Sequence, residues 1–292
     1  VSAAPLRLAL CQYGVTRPEG VAGFAQKLDA LVAEAAPHAD LLVLPEYACM
    51  DLAAAYVTDA DPAAERDAVC AHTDAIVAAM AETARRHRVW LLPGTLPIRT
   101  GGEVRNRAPL FDPDGRVAWQ DKRVMTRFEA ESWGVGPGAP PAVFETPWGR
   151  IGIAICYDAE FPPLVRAQVA AGAWLILVPT CTDTMHGFNR VWLAARAAAL
   201  SNQCYVAVAP TVGDAPWSAT LDTNRGFAAV AGPVDRGFPA DGILARGALD
   251  MPSWLYVTLD PARLDAVRAD GAVRNHRDWP EPPPPCPVHS PA

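Results

Sequence analysis

An α/β layered domain is what this sequence predicts, on three observations. Short apolar runs with strand character alternate with longer, Ala-rich stretches of helical periodicity. Several of the short runs are apolar at every position, as strands buried on both faces are. No Gly- or Ser-rich linker interrupts this pattern before about residue 260. One domain over residues 1–265 is therefore expected, followed by a separate Pro-rich tail over residues 266–292.

The elements follow in order. Leu6 to Cys11 reads as a strand, and Val21 to Ala36 carries apolar residues at helical spacing. Leu41-Leu42-Val43-Leu44 is a continuous apolar strand. Asp61 and Pro62 supply a capping side chain and a first-turn proline, and the helical pattern they open runs to about Arg88. Val89 to Leu92 returns to strand. Val104 to Phe111 and Val117 to Lys122 flank Asp112-Pro113-Asp114-Gly115, whose turn chemistry predicts a hairpin. Arg150 to Ile155 is expected as a buried strand, Pro163 to Ala171 as a helix and Trp174 to Val178 as a strand. Asn189 to Asn202 is expected as a helix and Tyr205 to Ala209 as a strand. Phe227 to Val230, Ile243 to Ala245 and Leu255 to Leu259 form a second β-rich series. Glu281 to Pro287, with five prolines, fits neither helix nor sheet interior. It is expected as an extended arm, either packed on a partner subunit or disordered.

Composition removes several classes of function. With 51% apolar residues the chain can bury a large core. A net charge of −7 without a basic cluster argues against nucleic-acid binding. No apolar run reaches the roughly 20 residues needed to span a bilayer. Val1 to Pro5 has neither the basic region nor the long apolar stretch of a signal peptide. Seven irregularly spaced cysteines fit reduced thiols better than a disulfide framework. Nor is there a CxxC pair or a His/Cys cluster at metal-ligand spacing. The expectation is a cytoplasmic protein with no metal.

Three segments share one layout, an apolar strand ending at a reactive side chain. Leu41 to Leu44 leads through Pro45 to Glu46, Val117 to Asp121 leads to Lys122, and Ile151 to Ile155 leads to Cys156. Sites in α/β sheets gather beyond the carboxyl ends of strands, so the three can converge on one pocket. Their chemistry is complementary. A thiol needs a base or cation to become a nucleophile. A carboxylate in an apolar pocket can exchange a proton near neutral pH. A lysine ammonium can stabilise a tetrahedral oxyanion beside a backbone N–H. Taken singly, Cys156 also reads as a packing cysteine, Glu46 as a turn carboxylate or helix cap, and Lys122 as a solvated strand-end lysine.

Taken together, Leu44-Pro45-Glu46, Asp121-Lys122 with Gly136-Pro137-Gly138, and Gly152-Ile153-Ala154-Ile155-Cys156-Tyr157-Asp158 with Phe161-Pro162 resemble the nitrilase superfamily of carbon–nitrogen hydrolases. The motifs stand in that family's order, and the similarity extends over about nine-tenths of the chain, from the strand at Leu6 to the late strands near Leu259. The resemblance implies a four-layer α-β-β-α sandwich, assembly as a homodimer or larger oligomer, and no cofactor. It implies Glu46 as general base, Cys156 as nucleophile, and Lys122 with the N–H of Tyr157 at the oxyanion. It also implies a second glutamate after the lysine. Counting back from Gly136 favours Glu131, with Glu129 as the alternative. Tyr157-Asp158 resembles the amidase-like branches rather than true nitrilases, which usually carry Trp-Glu there. A small-molecule amide is the expected substrate, with an N-carbamoyl compound as the alternative and a nitrile behind both. Many omega-amidase-like members carry arginine where Glu160 stands, so Glu160 either favours a cationic substrate or pairs with an arginine such as Arg166. Tyr47, Phe128, Trp133, Thr182 and His186 are expected as pocket walls, His186 alternatively as a plain loop residue. The competing non-enzymatic reading is a scaffold that binds a partner through its Pro-rich tail.

Overall fold

The computed structural model describes residues 4–58 and 61–280. Its strands are β1 (Leu6–Gly14), β2 (Leu41–Leu44), β3 (Trp90–Pro93), β4 (Leu96–Thr100), β5 (Glu103–Phe111), β6 (Val117–Asp121), β7 (Val135–Gly136) and β8 (Val143–Thr146). They continue with β9 (Gly149–Ile153), β10 (Leu175–Thr180), β11 (Tyr205–Asp214), β12 (Thr223–Asn224), β13 (Ala229–Ala231), β14 (Ile243–Arg246) and β15 (Ser253–Leu259). The α-helices are α1 (Gly20–Ala35), α2 (Pro62–Ala71), α3 (Thr73–His87), α4 (Pro162–Ala170), α5 (Met185–Asn202) and α6 (Pro261–Asp270).

Period-two alternation sorts these elements into layers. Leu6, Leu8 and Leu10 of β1, with Leu41 and Val43 of β2, join one core cluster with Ile151, Ile153, Leu175 and Leu177 of the facing sheet. Their neighbours Ala9, Cys11, Leu42 and Leu44 point the other way, onto Phe24, Leu28 and Val32 of α1 and Ile76 and Met80 of α3. The far face of the second sheet is closed by Val165 and Val169 of α4 and Val191 and Ala195 of α5. The result is the four-layer α-β-β-α sandwich. In the first sheet β1, β2 and β3 run parallel, with β15 antiparallel on β1. In the second, β9, β10 and β11 run parallel. The sheets meet at one corner, where Tyr13 and Gly14 of β1 pair with Thr211 and Val212 of β11. The carboxyl ends of β2, β9 and β10 open towards that corner.

Three departures from the sequence reading have physical causes. The helix expected from Asp61 to about Arg88 is two helices broken at His72, whose φ of −110° and ψ of 13° leave the helical region. The Thr73 hydroxyl donates to the Cys70 carbonyl at the break, and the His72 ring stacks on Tyr56 at 4.2 Å. Each half has a different neighbour, α2 the turn over Ala48–Ala55 and α3 the helix α1. The Asp61 cap itself forms, accepting from the N–H groups of Ala63 and Ala64. Second, α5 begins one turn before Asn189, because Thr184 caps it through Gly187. Third, residue 265 falls inside α6, whose Leu264 and Val267 are buried. Packing continues beyond it, with Gln203 bonded to Val273 and His276, and Arg166 stacked on Trp279. The segment Glu281 to Pro287 lies outside the described residues. Among the described residues no helix is long and apolar enough to cross a membrane.

Candidate active site

Each reactive side chain is delivered by a strand end and fixed by its backbone. Glu46 follows β2, with its carbonyl accepting from the Thr211 hydroxyl at 3.2 Å. The next residue, Tyr47, adopts a left-handed backbone at φ +57°, and its N–H donates to the Thr95 hydroxyl. Lys122 follows β6; its N–H donates to the Asn106 carbonyl and its own carbonyl accepts from Gly138. That approach explains the glycine, since a Cβ on residue 138 would stand 2.1 Å from the Asp121 Cβ. Cys156 heads a tight turn over Cys156–Glu160 at φ +47°. Such a backbone costs a non-glycine residue about 1–3 kcal/mol, and the surrounding packing holds it there.

The side chains meet. Lys122 Nζ lies 2.8 Å from Glu46 Oε1 and 2.6 Å from Glu129 Oε2. All three are almost wholly buried. Asn106 Nδ2 donates to both carboxylates, at 2.9 Å and 3.3 Å. Glu129 also accepts from Tyr47 Oη and from the N–H and hydroxyl of Thr126. The other Glu46 oxygen accepts from the Cys181 N–H at 3.1 Å. The Cys156 thiol donates to the Cys181 carbonyl at 3.8 Å and accepts from the Thr180 hydroxyl at 3.1 Å, and it shares a cavity with the Glu46 carboxyl. Glu46, Tyr47, Lys122, Thr126, Glu129, Cys156 and Cys181 line this cavity of about 680 Å³, with Asn106 and Thr180 behind them.

Charge in this cluster is distributed unequally. Burial pushes the Glu46 carboxyl up, and Lys122 offsets only part of that. Burial acts on Glu129 the same way, but Lys122 together with Thr126 and Tyr47 holds it below the ordinary glutamate value. Burial opposes the Lys122 ammonium, yet the two carboxylates outweigh it and hold the group charged. Burial, then the neighbouring Glu46, pushes the Cys156 thiol well up. Lys122 therefore favours the ionised form of Glu129 more firmly than that of Glu46. Lysine has three N–H donors. Two hold the carboxylates, which leaves one for a substrate oxygen.

Asp158 contributes from two residues past the nucleophile. Its carboxylate accepts from the backbone N–H groups of Arg123 and Val124, tying the chain after Lys122 to the Cys156 turn. Burial moves this acid up to about 6, against the pull of those two N–H groups.

Of the sequence-derived site residues, Glu46, Lys122, Cys156, Tyr47, Phe128, Trp133, Tyr157, Glu160 and Thr182 line the one cavity. Glu131 does not. It stands 60% exposed and pairs with Arg127. Phe128–Ser132 is a single helical turn, and residues two apart on a helix face roughly 200° apart. Glu129 therefore points in and Glu131 out, which corrects the choice made by counting from Gly136. His186 is also displaced from the wall: it sits exposed in the first turn of α5, and neighbouring Gly187, Arg190 and Val191 line the cavity instead. Glu160 pairs with Arg190 at 3.5 Å, not with Arg166. Among the described residues no cluster of His, Cys, Asp and Glu could hold a metal. Asn106, Thr180 and Cys181 went unassigned in the sequence because nothing in their local pattern distinguishes them from core residues.

The two glutamates can be separated by experiment. Glu131→Gln should leave activity and the thermal midpoint near wild type, since an exposed pair contributes about 0–1 kcal/mol. Glu129→Gln should lower kcat by at least tenfold and destabilise the fold, because Lys122 loses a buried counter-ion. Steady-state kinetics and thermal unfolding of both variants decide it, and equal effects would remove the distinction.

Comparison with known proteins follows the same lines. The family described as carbon-nitrogen hydrolase matches residues 7–267. The chain is 29% identical over 278 residues to the probable hydrolase YhcX of Bacillus subtilis (strain 168), covering 95% of this chain and 54% of that protein. It is 31% identical over 144 residues to the omega-amidase NIT2 of Danio rerio, 46% of this chain and 52% of that one. The chain thus spans about half the length of these curated relatives. Among solved structures, it is similar to a variant of the amidase from Nesterenkonia sp. AN1, with a TM-score of 0.70 at 28% identity over 94% of this chain and 96% of that one. That amidase carries the acetamide moiety of fluoroacetamide covalently added at its active-site cysteine.

Proposed function

Because the chain belongs to the carbon–nitrogen hydrolase family, we propose that it cleaves the carbon–nitrogen bond of a small amide through a thioester on Cys156. The observation that carries the reading is the meeting of the Cys156 thiol, the Glu46 carboxyl and the Lys122 ammonium on the floor of one cavity. The Cys156 sulfur attacks the amide carbonyl carbon while its proton passes to Glu46. The oxygen becomes an oxyanion, held by the remaining Lys122 N–H and the backbone N–H of Tyr157. Collapse breaks the C–N bond, and the leaving nitrogen takes the proton from Glu46 and departs as ammonia or an amine. Glu46 then deprotonates a water that attacks the thioester, releasing the acid and returning the proton to sulfur. Glu129 keeps Lys122 charged and in place throughout, and no cofactor enters.

A neutral thiol beside a carboxylate whose proton affinity burial has raised suits this sequence, because such a carboxylate is a stronger base towards the thiol. Tyr157-Asp158 supports an amide over a nitrile. A homodimer or larger assembly belongs to the same proposal, and it is supported by Leu193 and Leu200, exposed on the outer helical layer.

A panel of aliphatic amides, N-carbamoyl amino acids and nitriles, scored for ammonia and carbon dioxide, tests the substrate class. Ammonia from amides without carbon dioxide is expected, and mass spectrometry of protein quenched at high substrate should find the acyl group on Cys156. Carbon dioxide with the ammonia would move the assignment to carbamoyl compounds. Failure of Cys156 to react with an electrophilic amide analogue would move it to the scaffold reading.

A further inference from the structure

We propose that Glu65, outside the reacting cluster, is a positioning residue that fixes one wall of the substrate cavity and so sets how well larger amides bind. The inference rests on the amide-hydrolysis reading above. Glu65 sits in α2 and is 2% exposed. No lysine or arginine pairs with it among the described residues. Its charge is met by donors from one distant stretch of chain. Oε1 accepts from the Ala219 N–H at 2.7 Å, and Oε2 from the Ser218 hydroxyl at 2.8 Å. Oε2 also accepts the Thr220 N–H at 3.2 Å and the Thr220 hydroxyl at 2.5 Å. A buried carboxylate without a counter-ion is tolerated only where such donors are held in place, so carboxylate and loop each require the other.

The loop so held is cavity wall. Ala219 and Thr220 line the cavity, as do Asp222, Thr223 and Asn224 immediately after them. The end of this wall nearer the chemistry has anchors of its own. Asn224 is anchored by its amide to the Gly213 and Leu221 carbonyls, and its Oδ1 accepts the Cys181 thiol at 3.3 Å. Cys181 in turn gives its N–H to Glu46. The same helix holds the opposite wall. Arg66, next in sequence, donates to the Trp133 carbonyl, and the Trp133 indole N–H reaches the Pro62 carbonyl at 2.5 Å. Trp133 packs edge-on against Tyr47 at 4.7 Å. Thus α2 braces both the aromatic wall and the 218–224 wall, and Glu65 is its link to the second.

A wall residue fixed this way acts on substrate fit. A substrate small enough to touch only Cys156, Glu46 and Lys122 should be indifferent to it. Glu65→Gln keeps the size of the side chain but removes its charge and turns an –NH2 towards either the Ala219 N–H or the three donors on Oε2, so at least one bond is lost and the rest lose their charged acceptor. Expected with hexanamide is a KM raised about tenfold or more with kcat within about threefold, and with acetamide both constants within about threefold. Hydrogen exchange of the Ala219 and Thr220 amides should quicken in the variant while that of β2 and β9 stays unchanged. Ser218→Ala, which removes one donor from the other partner, should give the same pattern more weakly, and it serves if Glu65→Gln does not fold. Equal loss of kcat with both amides, or exchange at Ala219 and Thr220 identical to wild type, overturns the inference. Wild-type protein that releases ammonia from neither amide refutes the hydrolase reading instead, and the exchange comparison still decides the clamp.

Discussion

Cys156→Ala should reduce amide turnover by on the order of 10⁴–10⁶ while the protein folds and unfolds much as wild type. The rate loss follows from removing the only atom that forms the covalent bond; Glu46 and Lys122 that remain can polarise a carbonyl but have nothing to place on it. The stability effect is small because the side chain is small. One sulfur leaves a site already packed by Thr180 and the Cys181 carbonyl, at a cost of about 1 kcal/mol. The left-handed backbone at residue 156 strains alanine and cysteine alike, so that term cancels between the variants. Ammonia release from the best amide and denaturant unfolding are the two measurements. Turnover within tenfold of wild type would exclude the thioester route, and gross unfolding would make Cys156 a core residue first.

The architecture was legible wherever burial dictates pattern. Leu41 to Leu44 and Ile151 to Ile153 are buried throughout, and strands of that kind announce themselves as unbroken apolar runs. The short strands β4 and β8 were not anticipated, since β4 contains a proline and ends in exposed residues, and β8 alternates over only four positions. The helix α6 escaped because its buried stripe is only Leu264 and Val267, although Asp260 and Pro261 repeat the capping pair of α2. The site shows a sharper contrast. Strand-end position led to the expectation that Glu46, Lys122 and Cys156 converge, and they line one cavity, whereas spacing from a downstream motif selected Glu131, which faces away from that cavity and pairs with Arg127. A local signal was present: Thr126-Arg127-Phe128-Glu129 has the form of a capping box. The box forms, with Thr126 N–H to Glu129 at 3.0 Å and Glu129 N–H to the Thr126 hydroxyl at 3.3 Å. It turns Glu129 inward. The Glu65 clamp lies beyond such reasoning altogether, because its donors are about 150 residues away along the chain.

Lys122→Met should damage both rate and stability, and pH should separate the two effects. Methionine fills similar volume without charge or donors. Loss of one oxyanion donor typically lowers the chemical step by about 10²–10³, which single-turnover acylation would read directly. The structural effect comes from what is left behind. Glu46 and Glu129 both approached Lys122 within 2.8 Å, and without it two buried carboxyls face each other with Asn106 as their shared donor. Breaking a buried ion pair by removing one partner typically costs about 3–5 kcal/mol at neutral pH. Like charges in a dry site raise the folded-state values, so the folded variant binds protons more tightly than the unfolded chain does. Its stability relative to wild type is therefore best preserved at acid pH, below the ordinary glutamate value near about 4.3, and falls as pH rises through the raised folded-state values. Denaturant unfolding of both proteins at pH 5 and pH 8 should show the gap widening at the higher pH. A gap that stays constant, together with unchanged acylation, would mean that Lys122 neither balances these carboxyls nor meets the oxyanion.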